Sequence, residues 1–134
     1  MNASSADAPR VPRIGVDRVY DVLDEAVPEG EVRILVDRLW PRGVRKDRLA
    51  GVEWNKDVAP SDGLRRAFHH EGLSWERFKD RYRAELEESG AAQALLEDLQ
   101  ARGDVDVTFL VSATDVGHSN GTVLRTVVEG LARG

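Results

Sequence analysis

The sequence predicts an α/β fold, a small and mostly parallel sheet flanked by helices in a single domain. Two aliphatic runs, residues 32–36 (VRILV) and 107–111 (VTFLV), carry the prediction, because their apolar character is too continuous for strands with one face in water. Between them lie segments of helical period closed by serine and glycine, as in a βαβ unit. Each run also changes character abruptly at its end. Asp37, Arg38, Trp40 and Arg42 crowd around Pro41 after the first, and Ser112, Thr114, Asp115, His118, Ser119 and Asn120 follow the second. Open α/β sheets bind ligands outside the carboxyl ends of their strands, so these two polar ends are expected on one edge as the walls of a cleft.

In chain order, residues 13–20 read as the first strand, with Ile14, Val16 and Tyr20 on an imperfect alternation. Residues 21–31 have no helical period and contain Pro28 and Gly30, so they read as a loop. That loop is short for a crossover containing a helix, which leaves the direction of the first strand open. After the first buried run, residues 45–50 suggest a short helical turn and 52–56 an extended piece around Trp54. Pro60 biases Ala59 away from helix, and Ser61 caps a helix with Leu64 and Phe68 on one face, ended by Gly72. Ser74 caps the clearest helix, where Trp75, Phe78, Tyr82 and Leu86 recur at helical spacing and Arg81 can pair with Glu85. Ser89 and Gly90 break it before residues 91–102, which carry Leu95, Leu96 and Leu99 and stop at Gly103. The second buried run follows, then a final helix with Val123, Leu124, Val127, Val128 and Leu131 as its apolar stripe.

The totals set the class. A chain of 134 residues, 41% hydrophobic and 32% charged, is long enough for one domain with its own core and too short for two. It has no cysteine, which excludes disulfides, thiolate metal sites and a cysteine nucleophile. No apolar run approaches the roughly 20 residues that cross a bilayer. The first residues (MNASSADAPRVP) lack the apolar centre of a secretory signal, so 1–12 read as a disordered tail, 13–134 as the domain and the cytoplasm as its location. A net charge of −5 argues against nucleic-acid binding by bulk charge. The stretch 38–48 is nevertheless basic, with Arg38, Arg42, Arg45, Lys46 and Arg48 against Asp47.

Several short motifs then point one way. RVYD at 18–21, VDRLWPRG at 36–43, Trp54 with Lys56, APS at 59–61 with Leu64 and Arg65, and the set Trp75, Phe78, Arg81, Tyr82, Glu85, Leu86 together resemble the YeaO-like family, domain of unknown function 488. The likeness covers nearly all of the chain after residue 12. It implies a single α/β domain of bacterial or archaeal distribution, without naming an activity. It also implies that the polar end of the second run belongs with the first. Asp115, His118 and Asn120 fit the family's pattern there, whereas Ser119 and Gly121 stand where asparagine and alanine are more usual.

The candidate site residues follow from their chemistry. Arg38 and Arg42 make an anion clamp, since planar guanidinium forks suit phosphate or carboxylate. Asp37 orients them or acts as a base, and Trp40 stacks on a ligand; the plainer alternatives are a local ion pair and core packing. Lys56 and Arg81 read from composition as solvated charges, and the family resemblance adds them to the ligand-binding set. His118 suits a general acid or base, with Asp115 orienting it. Ser112 lacks the glycine-flanked elbow of a hydrolase nucleophile and joins Asn120 as a ligand contact. Asp115, Ser119 and Asn120 equally suit caps of the last helix, whose amino end attracts anions. His69, His70 and His118 with Asp37 or Asp115 match no established metal spacing, so a metal-free site is expected. Neither GxxxxGK[ST] nor GxGxxG occurs, and no cofactor is expected. The reading is a small anionic ligand, with hydrolysis or group transfer ahead of redox chemistry if there is a reaction. The rivals are a nucleic-acid or protein binding module using 38–48, with Trp40 stacking, a metal-binding protein, and a purely structural subunit.

Overall fold

A computed structural model describes residues 11–134; the first ten residues of the expected tail lie outside the described residues. Among these, four strands form one sheet: β1 (Arg13–Arg18), β2 (Glu31–Leu35), β3 (Glu53–Trp54) and β4 (Asp106–Val111). Their order is β1-β4-β2-β3 and every pairing is parallel, which settles the direction of β1. The two aliphatic runs are neighbours at the centre, with Val32 opposite Val107 and Leu35 opposite Leu110. Four helices accompany them: α1 (Asp62–His70), α2 (Trp75–Ser89), α3 (Ala91–Ala101) and α4 (Asn120–Arg133). None is long and apolar enough to cross a membrane.

The expected caps are in place. Ser61 Oγ accepts from the Leu64 N–H and Ser74 Oγ from the Arg77 N–H, each at 3.2 Å. Gly90, at φ 72°, makes the left-handed turn between α2 and α3 that a residue with a Cβ resists. The Arg81–Glu85 pair is not formed. Glu85 instead accepts from the backbone N–H of Ser61 at 2.8 Å and from its hydroxyl at 2.5 Å, fastening α2 to the start of α1. A carboxylate with two short, partly buried bonds gains more there than from an exposed ion pair. The first strand also ends earlier than expected, because Val19–Asp21 coils into a 3-10 turn that buries Val19.

The two faces of the sheet are closed differently. Val32, Ile34, Val36, Val107, Phe109 and Val111 face all four helices. On the other face Leu35 and Leu110 pack against Val19, Val44 and Leu49, which lie in turns and connections. Both faces are therefore buried, which explains the continuous apolar runs, but helices cover only one. The β1–β2 link, residues 19–30, has no α-helix. Twelve residues extend to about 40 Å, enough to return along a six-residue strand of about 20 Å and pass one intervening strand.

Candidate functional site

The carboxyl ends of β2 and β4 meet as expected, and a cavity of about 570 Å³ opens there. Its floor is built from the first residues after each strand. Asp37 Oδ2 accepts the backbone N–H of Ser112 at 2.8 Å, and Asn120 Nδ2 donates to the Val36 carbonyl at 3.0 Å. Trp54 Nε1 donates to the Asp37 carbonyl at 2.8 Å, so the edge strand holds the same turn. Burial raises the Asp37 carboxyl pKa, while its bonds to Ser112 and Asn120 and the nearby His69 pull it the other way.

One wall is the turn 38–42. Arg38 Nε donates to the Pro60 carbonyl at 2.9 Å, tying this turn to the segment that enters α1. Tyr82 fastens the same segment through a hydroxyl bond to the Val58 carbonyl. Trp40 Nε1 donates to the Val44 carbonyl at 2.6 Å, and its ring meets Trp54 edge-on at 5.2 Å. Arg42 is exposed; its backbone carbonyl accepts the Tyr20 hydroxyl at 2.9 Å. Arg38, Trp40 and Arg42 all line the cavity, as do Asp37, Ser112, Asp115 and Asn120.

Three expected site residues stand elsewhere. Lys56 lies over the Trp54 ring at 4.1 Å, beside a separate shallow depression. Arg81 is exposed on α2 and lines no part of the cleft. His118 is outside the lining: its Nδ1 bonds Asp115 Oδ2 at 2.7 Å and its ring meets Trp75 edge-on at 5.1 Å. That bond lowers the Asp115 pKa. Ser112 and His118 do not bond each other, so the serine, histidine and aspartate form no relay. The capping role of Ser119 is also corrected, since its hydroxyl turns back to the Val116 carbonyl at 2.7 Å. Among the described residues no group of three histidine, aspartate or glutamate side chains could hold a metal ion. Within the basic stretch, Arg45 pairs with Asp47 at 2.8 Å and Arg48 with Asp24 at 2.7 Å.

A third wall was missed by sequence reasoning. Arg65, Phe68 and His69 of α1 also line the cavity. Arg65 forms a helix ion pair to Asp62 at 2.6 Å, and its Nε is buried without a partner. His69 has its pKa lowered, first by burial and then by Arg65 and His70. The available signal was their i, i+3, i+4 spacing, which places all three on one helix face.

A parallel α/β domain with a polar cleft beyond its central strands is the class that this fold and site define. A family model described as "Inactive DUF488-N3 subclade" matches residues 13–133. The chain is 40% identical over 121 residues to the uncharacterized protein Rv3073c of Mycobacterium tuberculosis, covering 90% of this chain and 98% of that protein. Uncharacterized protein Mb3100c of Mycobacterium bovis gives the same 40% over 121 residues, with 90% and 98% covered. Uncharacterized protein YeaO of Escherichia coli is 40% identical over 102 residues, 76% of this chain and 86% of YeaO. The chain belongs to the YeaO-like DUF488 family. No solved structure matches it.

Proposed function

We propose that this protein binds a small anion in the cleft between the β2 and β4 ends and does not transform it. The observation that carries the reading is the meeting of Arg38, Arg42 and Arg65 around one cavity, beside the amino end of α4. Guanidinium forks match carboxylate and phosphate oxygens, and a helix amino end adds partial positive charge. Of the two carboxylates in the lining, Asp37 has its charged form disfavoured by burial. The basic stretch 38–48 supports a nucleic-acid surface less well, because Arg45 and Arg48 each give two nitrogens of the fork to an acid, Asp47 and Asp24, whereas Arg65 meets Asp62 through Nη2 alone.

Binding without turnover is favoured because His118 does not reach Asp37; His69, which lines the cavity near Asp37, is the imidazole to replace first if turnover is found. Asp37 is engaged by Ser112, while His118 and Asp115 engage each other at the rim. The description of the matching subclade as inactive agrees with this reading.

The test is thermal melting of the full chain against phosphate, sulfate, small carboxylates, nucleotides and divalent metals, since a ligand of the native state raises apparent stability. One anionic class should raise the melting temperature, and Arg42→Ala should abolish the rise; Arg42 supports the fold through its backbone carbonyl. No response to any anion would overturn the reading. Turnover of a bound anion would make the protein an enzyme, with Asp37, Asp115 or His69 as the groups to replace first.

A further inference from the structure

We infer that the ligand is an organic anion with a flat apolar ring, its charge held by Arg65 and its ring laid against Phe68. The inference rests on the anion reading above and deepens it. On α1 the lining residues Arg65 and Phe68 are three apart, so charge and ring lie on one face within about one helical turn, ~5 Å. Phe68 is partly exposed and firmly backed: it stacks on the buried Phe78 at 4.5 Å and 26°, and Phe78 stacks on Trp75 at 5.6 Å and 19°. A ring held by such a stack offers a preformed surface to another ring. Trp40 and Leu39 line the same cavity and add to its apolar surface.

Size agrees with the chemistry. A cavity of about 570 Å³ is of the order that takes a whole small organic molecule. Inorganic phosphate would leave most of it, including the aromatic wall, to water. Asp62 engages Arg65 through Nη2 alone, so the guanidinium fork is not fully taken up by its helix partner.

The experiment is calorimetric titration of the full chain with two matched pairs, phenyl phosphate against methyl phosphate and benzoate against acetate. The ring-bearing member of at least one pair should bind about tenfold more tightly or better. Phe68→Leu, which keeps most of the volume, should remove that preference while leaving the ringless anion unchanged, and Arg65→Gln should weaken both. Equal affinity within the pairs, or a preference that survives Phe68→Leu, would overturn the inference while the anion reading stands. Binding of none of the four would overturn the inference, and the anion reading falls with it if no anion raises the melting temperature.

Discussion

Asp37 and Ser112 are 75 residues apart in the chain, yet the carboxylate of one accepts the backbone N–H of the other at 2.8 Å. The bond joins the two strand ends that form the cleft floor, and it sits where burial raises the Asp37 pKa above the ordinary carboxylate range. A carboxyl whose folded pKa is raised adds stability below the unfolded value and loses it as pH rises through the folded value. Asp37→Asn keeps an acceptor for the Ser112 N–H and removes the charge. Between about pH 4 and about pH 7, urea midpoints should therefore shift in favour of the variant relative to the parent. A pH-independent difference would show that Asp37 has no raised pKa. Asp62 and Asp115, whose pKa values are lowered by Arg65 and His118, act with the opposite sign, losing their contribution as pH falls below the ordinary carboxylate range.

Gly121 marks the closest approach of α4 to the sheet. A Cβ there would stand 2.9 Å from methyl groups of both Val111 and Val16. Gly121→Ala should cost about 1–3 kcal/mol through overpacking, despite alanine's better helix propensity. Adding Val16→Ala should restore part of the loss in urea denaturation, and a double variant no better than the single one would rule out this contact as the cause.

Tyr82 is fully buried, and its hydroxyl satisfies the Val58 carbonyl. Tyr82→Phe should destabilise the fold by about 1–3 kcal/mol, because the carbonyl loses its partner. Since Arg38 holds Pro60 in the same segment, amide exchange at the start of α1 should also accelerate. Global destabilisation without that local change would separate the two effects.

Ser61 is a helix cap whose hydroxyl also donates to Glu85 at 2.5 Å. Aspartate is normally as good a cap as serine. Here Ser61→Asp should be worse than Ser61→Ala, itself expected to cost about 1–2 kcal/mol, because a second carboxylate would face Glu85. Melting temperatures of the two variants at neutral pH give the order, and the reverse order would mean that Glu85 turns away.

What was legible in the sequence is what depends on neighbouring residues. The β2 and β4 runs, the serine caps at Ser61 and Ser74, and the break at Gly90 each follow from a few adjacent side chains. The placement of Asp37, Arg38, Ser112 and Asn120 at one cleft followed from where the apolar runs stop. The rest turns on tertiary choice. Arg81 and Lys56 carry suitable charges, but nothing local says which way their segments face. His118 lies three residues from Asp115, and that short-range bond draws it to the rim rather than towards Ser112. Arg65 is half of a helix ion pair with Asp62; its second place, in the cleft wall, depends on how α1 is held by Arg38 and Glu85 through Pro60 and Ser61. The helix-free link between β1 and β2 is legible as a loop from Pro28 and Gly30, whereas the direction of β1 is not, because a link of that length admits either.

The strand order carries a consequence for how the chain is made. β1 leaves the ribosome well before its sheet partner β4, which is completed only at Val111. β2 likewise has β4 as its long partner and shares only two register positions with β3. At about 5–20 residues per second, the nascent chain spends several seconds with its aliphatic segments unpaired. Folding of the sheet is thus deferred until Val111 has emerged, and a product halted before it would be a substrate for chaperones and proteases rather than a shortened domain.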